Sequence, residues 1–320
     1  MEKTVSTNFG SMLSGRTVIG DTLHELGQKH DNLFVCTADI AGSLKRFRTD
    51  FPDRYIDVGI AEQTCMGVAA GIALDGNISV VMGMIPFLTM RACEQVRTVV
   101  CYQNLPVRII GTGGGLTSGG GSTHNAMEDI AIMRSLVNMT VVSIGDPNMI
   151  RDILTQSMDY PGPIFIRLAQ GKSDRVIYQP GSMEIKIGKG LTAREGTDFT
   201  IFAHGEMVGQ SLDAADILAE QGINVRVVDM FTIKPLDEEI VLKAVDETGG
   251  ILVVEDHLAY GGLASAISDL FADSGKFPKR FARLGIPQVY AGFGSGPEQR
   301  KKYGYDADAT VSKIKELLGK

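Results

Sequence analysis

Short apolar runs alternate with longer amphipathic stretches along the first half of the chain. The apolar runs read LFVCTAD, YIDVGI, ISVVMGM, VRIIGT, TVVSIG and PIFIRLA. Helical periodicity lies between them, around residues 18–29, after YIDVGI, over residues 90–100 and from Asp146-Pro147 onward, where proline fits the first helical turn. Strands that are apolar on both faces and separated by helices indicate a parallel sheet covered on both sides.

The polar, glycine-rich segment 171–197 interrupts this alternation, and a second series follows it. The later apolar runs read FTIFAH, INVRVVDM, GILVVED and FARLGI, again with helical patterns between them. A chain of 320 residues is long enough for two domains. We therefore predict an α/β protein with a first domain over residues 1–172, a linker over 173–197 and a smaller second domain over 198–320.

Composition and charge narrow the class of protein. Hydrophobic residues make up 44% of the chain and charged residues 22%, which supports a substantial core and argues against disorder. The net charge of −7 and the lack of a basic block argue against general binding to nucleic acids or membrane surfaces. The four cysteines show no CxxC spacing, and the N-terminal sequence lacks the pattern of a secretory signal. We therefore expect a cytoplasmic protein with reduced, buried thiols.

Candidate ligand-binding residues lie at the predicted carboxyl ends of the first-domain strands, where parallel sheets bind their ligands. Glu62 stands between a strand and a helix built from Ala, Gly, Val and Met. A carboxyl group among apolar neighbours retains its proton more readily and can donate it near neutral pH. The alternative is a first-turn glutamate that complements the helix dipole, and position alone favours it. Other residues at these strand ends are Asp39, Phe87, Gly113 and Arg167.

Three further patterns are individually weak. Phe87 follows a proline at a strand end, where its ring can stack on a flat ligand or simply pack in the core. His124 follows a glycine-rich segment that is neither a P-loop nor a GxGxxG motif, so it is either a hydrogen-bonding or acid–base group or a loop-closing histidine. Arg16, Ser43 and Arg167 each fit a surface or capping role, but together they can bind a phosphate.

Several longer motifs follow one another along the chain. They are TADIAGS (37–43), DVGIAEQ (57–63), PFLTMRACEQVR (86–97), THNAMEDIAIMR (123–134), PIFIRLA (163–169), VVDMFTIKPLD (227–237) and VVEDHLAYGGLASAI (253–267). In this order they make nearly the whole chain resemble the C-terminal half of a transketolase, or the separately encoded C-terminal subunit of a split transketolase. The resemblance implies a parallel-sheet, pyrimidine-binding domain followed by the family's smaller α/β C-terminal domain, with thiamine diphosphate as the cofactor.

The resemblance also implies roles for the candidate residues. Glu62 matches the glutamate that bonds the aminopyrimidine nitrogen of the cofactor, and His124 matches a histidine near the reacting carbons of the sugar, so both are expected to be catalytic. Phe87 matches the aromatic residue that stacks on the aminopyrimidine. The remaining matches are Asp39, Met84 and Met90 close to the cofactor, and Arg16, Ser43 and Arg167 around the sugar phosphate.

Two departures from the family pattern affect the expected substrate. Gly113 stands where most transketolases have a histidine. Gly119–Gly121, just before His124, stand where most transketolases have an acidic residue. Side chains that usually contact sugar hydroxyls are therefore missing, so an ordinary pentose phosphate is not expected as the preferred substrate. Met84 and Met90 replace frequent aromatics beside the cofactor and give a softer wall of similar bulk.

The sequence lacks the Gly-Asp-Gly signature with which the family's other half holds the metal and the diphosphate. Mg²⁺ takes oxygen ligands together with the cofactor's phosphates. We therefore expect Mg²⁺, or Ca²⁺ or Mn²⁺, to be bound mainly by a partner, an N-terminal transketolase subunit, in an α2β2 complex. The predicted activity is transfer of a two-carbon ketol unit between a ketose and an aldose that are phosphorylated or otherwise anionic, including sulfonated or deoxy sugars.

Two alternatives stay open at this point. Within the same cofactor family, the chain resembles a β subunit of a 2-oxoacid dehydrogenase E1 component or a deoxyxylulose-phosphate synthase, although it is too short for a complete synthase. A different class is a non-catalytic scaffold subunit that has kept the fold. Glu62, Phe87 and His124 argue against the scaffold, because a scaffold needs none of them.

Overall fold

The computed structural model describes residues 11–116, 121–169 and 174–320. Within these ranges the strands are β1 (Met12–Leu13), β2 (Leu33–Thr37), β3 (Tyr55–Asp57), β4 (Ile78–Met84), β5 (Val107–Thr112), β6 (Thr140–Ile144), β7 (Ile164–Leu168), β8 (Asp174–Arg175), β9 (Leu191–Arg194), β10 (Phe199–Ala203), β11 (Val225–Asp229), β12 (Thr232–Lys234), β13 (Ile251–Leu258) and β14 (Phe281–Ile286). The helices are α1 (Gly15–Lys29), α2 (Lys45–Asp50), α3 (Glu62–Leu74), α4 (Cys93–Gln95), α5 (Asp129–Ser135), α6 (Met149–Met158), α7 (Met207–Ala219), α8 (Glu238–Glu247), α9 (Leu263–Ser274), α10 (Gly296–Tyr303) and α11 (Ala307–Leu318). Short 3₁₀ turns cover Gly42–Leu44 and Pro52–Arg54, and π-helical turns cover Phe87–Arg91 and Val96–Cys101.

The larger sheet has seven strands in the order β12-β6-β7-β5-β4-β2-β3. The other six strands run parallel to one another, and β12 is antiparallel to β6. Every residue of β5, β6 and β7 is buried, which explains why these strands carry continuous apolar sequence rather than an alternating pattern. The predicted parallel α/β sheet is confirmed, and β4 and β5 coincide with the runs ISVVMGM and VRIIGT.

The edge strand β12 comes from the second half of the chain and was not predicted. It runs antiparallel to β6, with Thr232 opposite Val142. A three-residue strand that ends next to Pro235 is too short for its period to be recognised in the sequence. As a result, the second half of the chain extends the sheet formed by the first half.

The smaller sheet has five strands in the order β14-β13-β10-β11-β9. The first four run parallel, as expected from their apolar runs, and β9 is antiparallel to β11 at the edge. Both β9 and β8 lie inside segment 173–197, which we predicted as a linker. The residues of β9 are all half-buried, so its polar composition suits an edge strand. The domain limits at 1–172, 173–197 and 198–320 stay predictions.

The two sheets share one hydrophobic core. Ile144 and Leu168 from the larger sheet belong to the same buried cluster as Ile201 and Val254 from the smaller sheet. Two further clusters lie on the other sides of the two sheets. Because close-packed side chains join the sheets, the second half of the chain is held in a fixed position against the first.

The carboxyl edge of the larger sheet collects the loops that carry the predicted site. There β3 is followed by α3, β4 by the π-helical turn Phe87–Arg91, and β5 by the glycine-rich segment. The helix predicted over residues 90–100 begins earlier, at Phe87, and contains two π-helical turns, a form that is common at functional sites. None of the described helices is long and apolar enough to cross a membrane.

Candidate active site

Glu62 is the first residue of α3, and its side chain is 3% exposed. The chain reaches it from β3 through Gly59, whose φ of 67° allows the sharp turn from strand to helix. Cys65 and Met66 of the same helix are fully buried, which agrees with the apolar setting predicted for this acid. The acid nevertheless has a charged partner, because Arg91 Nη1 donates a hydrogen bond to Glu62 Oε2 at 2.7 Å.

A second contact of Arg91 extends this pair into a chain of four side chains. The Arg91 guanidinium lies 4.3 Å from the centroid of the Phe87 ring. Phe87 and His124 meet edge to face, with their ring centroids 5.2 Å apart. His124 Nδ1 lies 2.9 Å from the hydroxyl of Thr123, which helps to orient the imidazole. We call Glu62, Phe87, Arg91 and His124 the acid–aromatic cluster.

Three consecutive glycines lead from β5 into the loop that precedes His124. Gly113 and Gly115 have φ values of 90° and 71°, which residues with side chains rarely adopt. A Cβ atom on Gly114 would lie 2.6 Å from Cζ of Arg167, and one on Gly115 would lie 2.0 Å from Oδ2 of Asp256. The backbone conformation and the buried charged groups beside it therefore require these glycines.

Arg167, at the carboxyl end of β7, is buried and bonded within the chain. Its Nε donates to Asp129 Oδ2 at 2.7 Å, and its Nη2 donates to the backbone oxygen of Asp256 at 2.8 Å. Burial lowers the pKa of Arg167, but the adjacent carboxylates of Asp129 and Asp256 outweigh it and raise that pKa above its usual value. This guanidinium already has internal partners, and its predicted contact with the sugar phosphate stays a prediction.

Arg16 and Ser43 are connected through α1. The Nη2 atom of Arg16 donates to Thr112 Oγ1 at 3.0 Å, which ties α1 to the end of β5. One helical turn after Arg16, a Cβ atom on Gly20 would lie 1.9 Å from the carbonyl oxygen of Ser43, so the Ser43 backbone packs directly on this helix. Partial burial lowers the pKa of Arg16, although a guanidinium remains charged at neutral pH.

The other predicted cofactor contacts lie at the same edge of the sheet. Asp39 follows β2 with a φ of 57°, a left-handed conformation that Asp tolerates better than most residues. Its N–H faces Asp57 Oδ1 at 3.5 Å. Met84 ends β4, and its terminal methyl carbon lies 3.4 Å from the position of a Cβ on Gly113. Met90 is 42% exposed.

Two family models match the chain. The model of the transketolase pyrimidine-binding domain matches residues 11–174, and that of the transketolase C-terminal domain matches residues 188–309. The chain belongs to the transketolase family. Transketolases depend on thiamine diphosphate, so the family and the cofactor class expected from the order of the motifs are confirmed.

Several relatives of this transketolase chain have similar lengths. A putative transketolase C-terminal section from Methanocaldococcus jannaschii is 38% identical over 94% of this chain and 95% of that protein. A 6-deoxy-6-sulfo-D-fructose transketolase subunit from Clostridium sp. (strain MSTE9) is 37% identical, over 93% and 92%. A subunit of an apulose-4-phosphate transketolase from Phocaeicola vulgatus is 34% identical, over 97% and 99%. The fold is similar to that of a split-gene transketolase described as an inactive β4 tetramer, with a TM-score of 0.85, 34% identity and coverage of 97% and 99%.

Deoxyxylulose-phosphate synthases are similar as well. The 1-deoxy-D-xylulose-5-phosphate synthase 1 of Geobacter sulfurreducens is 37% identical, but this chain covers 47% of that protein. The split transketolase relatives are instead matched over nearly their whole length. The C-terminal transketolase subunit is therefore the better description of this transketolase chain.

The acid–aromatic cluster fits the aminopyrimidine ring of thiamine diphosphate. Such a flat, nitrogen-rich ring needs a stacking surface and a carboxyl group as hydrogen-bond partner, and Phe87 and Glu62 offer both. In this structure the flat guanidinium of Arg91 makes the same two kinds of contact at once. The spacing of Phe87 and Glu62 thus suits a planar group that stacks on one and bonds the other.

Sequence reasoning missed several contact residues of the site. They are Arg91, Asp129, Asp256 and Tyr305, the last of which donates a hydrogen bond from its hydroxyl to Asp256 Oδ1. The first three lie inside motifs that carry the transketolase resemblance, but their spacing does not indicate which side chains they meet. For Arg91 one signal was available, because it follows Phe87 by four residues in a predominantly helical segment and so falls on the same face.

Proposed function

We propose that this chain is the pyrimidine-binding subunit of a two-chain transketolase that transfers a two-carbon ketol unit between anionic sugars. The observation that carries the proposal is the acid–aromatic cluster at the carboxyl edge of the larger sheet. A scaffold would not need a buried acid, a half-buried ring and a histidine linked by successive contacts at this edge.

When bound, thiamine diphosphate supplies an electron sink for breaking the carbon–carbon bond of the ketose. In this proposal, Arg91 withdraws from Glu62, whose carboxyl group then holds a proton at the ring nitrogen of the aminopyrimidine. Phe87 stacks on the same ring and fixes its plane. His124, edge-on to Phe87, bonds an oxygen next to the reacting carbons of the sugar. Asp39, Met84 and Met90 complete the wall beside the cofactor.

A partner subunit completes the site in this proposal. Apolar side chains next to the acid–aromatic cluster are exposed, with Ile60 at 72% and Met90 at 42%. On α3, Gly67 and Gly71 have no atom within 4 Å of the position of a Cβ, so another chain can approach this helix closely. Exposed apolar surface of this kind marks protein interfaces. We assign Mg²⁺, or Ca²⁺ or Mn²⁺, and the diphosphate to an N-terminal subunit with the Gly-Asp-Gly signature, in an α2β2 complex.

The proposed substrates are anionic sugars other than the ordinary pentose phosphates. Two relatives are named for a sulfonated fructose and for apulose 4-phosphate, and both names describe anionic sugars. Arg16, Ser43 and Arg167 are the candidate contacts of the anionic group, although Arg167 also bonds Asp129 and Asp256. Gly113 leaves room where the family usually places a hydroxyl-binding side chain. Gly119 and Gly120, which entered the same prediction, lie outside the described residues.

Reconstitution with the partner tests the proposal. The chain alone, its purity verified by mass spectrometry, is expected to transfer no ketol unit and to bind thiamine diphosphate weakly in calorimetry. The chain co-expressed with a Gly-Asp-Gly subunit is expected to do both, whereas that subunit alone is expected to be inactive. Ketol transfer by the isolated chain, or a clear preference of the complex for xylulose 5-phosphate in kcat/KM, contradicts the proposal. A complex that binds neither cofactor nor sugar supports the scaffold alternative.

A further inference from the structure

The loop between β5 and α5 is held at both ends by the second half of the chain. We call its described parts, residues 113–116 and 121–124, the glycine loop. At the first end, Leu116 N donates to Asp256 Oδ1 at 3.2 Å, although the two residues are 140 positions apart. At the second end, Ser122 Oγ donates to the backbone oxygen of Ala291 at 2.6 Å.

Asp256 is the centre of the first contact. It is 3% exposed on β13, and its Oδ1 also accepts a hydrogen bond from the Tyr305 hydroxyl at 2.9 Å. Tyr305 is fully buried, so its ring and hydroxyl hold one orientation of the carboxylate. The backbone oxygen of Asp256 is fixed in turn by Arg167. Asp256 thus accepts hydrogen bonds from Leu116, Tyr305 and Arg167. It cannot shift without breaking these buried bonds, which would cost free energy.

The glycine loop is shaped to meet this acid. Gly115 adopts a φ of 71°, and a Cβ on it would overlap the Asp256 carboxylate. Gly115 also exchanges two backbone hydrogen bonds with Ala126, at 2.7 Å and 3.3 Å. Ala126 is two residues from His124, whose ring touches Phe87. A continuous set of contacts therefore runs from Asp256 through Gly115 and Ala126 to His124.

We propose that Asp256 and Tyr305 are positioning residues that hold the glycine loop so that His124 stays against Phe87 during ketol transfer. This inference rests on the proposed function for the reaction it names. Neither residue touches the acid–aromatic cluster directly. The second half of the chain thus acts on the reaction through the loop backbone, and it does so at a distance from the cofactor.

Hydrogen exchange on the full chain tests the anchoring without any partner. Tyr305→Phe keeps the ring and removes the hydroxyl, so the amides of Leu116 and Ala126 should exchange about tenfold faster, as expected for a lost hydrogen bond to a charged group. Tyr303→Phe is the matched control on the preceding helix and should leave both amides unchanged. Unchanged exchange in both Tyr305→Phe and Asp256→Ala overturns the proposal.

Kinetics of the active two-chain complex test the positioning. Asp256→Ala should lower kcat/KM for the sugars by about ten- to a hundredfold while thiamine diphosphate affinity stays within about twofold. Asp256→Asn keeps an acceptor oxygen and should recover most of the loss. Gly115→Ala should lower kcat/KM as Asp256→Ala does. The control is Gly222→Ala, which should leave kcat/KM unchanged, because Gly222 also has a positive φ, 73°, but has open space around its Cβ position.

The outcomes separate this inference from the proposed function. Faster loop exchange with an unchanged kcat/KM means that the anchor exists but does not position a reacting group, which overturns the inference and leaves the function intact. An equal loss in cofactor affinity and in kcat/KM indicates general damage and also overturns it. A parent complex without ketol transfer refutes the proposed function and the positioning role with it, while the exchange data still decide the anchoring.

Discussion

The two sides of the candidate site are built in different ways. In the acid–aromatic cluster, Glu62 and Arg91 are 29 residues apart in sequence, and the cluster is partly open, with the Arg91 side chain 44% exposed. The glycine loop instead contacts Asp256, which is 140 residues from Leu116, and is backed by groups that are almost fully buried. One side is open to a ligand and a partner chain, and the other is sealed by the second half of the same chain.

This difference separates chemistry from positioning. The open cluster contains the acid, the ring and the imidazole that the proposed reaction uses. The sealed side contains Asp129, Arg167 and Asp256, which bond one another and the loop backbone. Substitutions on the open side should therefore change activity with little effect on stability, whereas substitutions on the sealed side should lower stability and change activity only through the position of the glycine loop.

The largest effect on activity is expected from Glu62→Gln in the reconstituted complex. The amide keeps the size of the side chain but cannot transfer a proton, so kcat should fall by about 10²–10⁴-fold while the free energy of unfolding changes little. Hydrogen–deuterium exchange at C2 of bound thiamine diphosphate, followed by NMR after quenching, isolates this step from sugar chemistry. Glu94→Gln, in the first turn of α4, is the control for a simple helix-start acid. If the C2 proton of bound thiamine diphosphate exchanges equally fast in the Glu62→Gln and Glu94→Gln variants, Glu62 is only an acid at the start of a helix.

The largest effect on stability is expected from Asp129→Ala. Arg167 would lose the carboxylate that compensates its buried charge, and breaking such a pair costs about 3–5 kcal/mol of unfolding free energy. Denaturant unfolding of the isolated chain measures this change. Asp269→Ala breaks the pair of Asp269 with Arg134 at the surface and should cost at most about 1 kcal/mol. Similar losses in the two variants would mean that the buried Asp129–Arg167 pair contributes no more to stability than a surface pair.

Sequence and structure agree best where the contacts are local. The strands β4 and β5 and the position of Glu62 at a helix start followed from apolar runs and their boundaries, because these depend on neighbours in the sequence. The roles predicted for Glu62, Phe87 and His124 came from the family resemblance, and they stay predictions.

Contacts between distant segments could not be predicted in the same way. Nothing in the residues around Gly115 indicates that an aspartate from β13 lies against its Cα, and nothing around Arg167 indicates Asp129 as its partner. The antiparallel strand β12 was missed for the same reason, because its pairing with β6 is decided by the packing of the two halves. Local periodicity therefore predicts elements and the edge where a site lies, whereas tertiary packing decides which charged groups meet.

A smaller effect on activity is expected from Arg16→Ala. If Arg16 contacts the anionic group of the sugar, its loss removes a charge-assisted hydrogen bond of about 1.5–3 kcal/mol, which is about a ten- to a hundredfold loss in kcat/KM, mostly through KM. Thiamine diphosphate affinity should stay nearly unchanged. Arg46→Ala, which removes an exposed cation bonded to Asp21, is the control for general charge. An equal loss with a neutral sugar would move Arg16 out of the substrate site.

The smallest effect is expected at the junction of the two halves, where Asp229 lies fully buried and accepts a hydrogen bond from Tyr178 at 3.1 Å. Burial raises the pKa of Asp229 to about 8, so the folded state binds this proton more tightly than the unfolded state. Its contribution to stability is complete below the ordinary pKa of about 4 and is lost as the pH rises through about 8.

Asp229→Asn is neutral at every pH, so it should raise the free energy of unfolding at pH 9 by about 1–3 kcal/mol and leave it nearly unchanged at pH 4. Unfolding curves at both pH values measure the difference, with the exposed Asp273→Asn as the control. A constant difference between the Asp229→Asn variant and the parent from pH 4 to 9 would mean that Asp229 is ionised in the folded protein, and that the junction, like the open cluster, tolerates a charge.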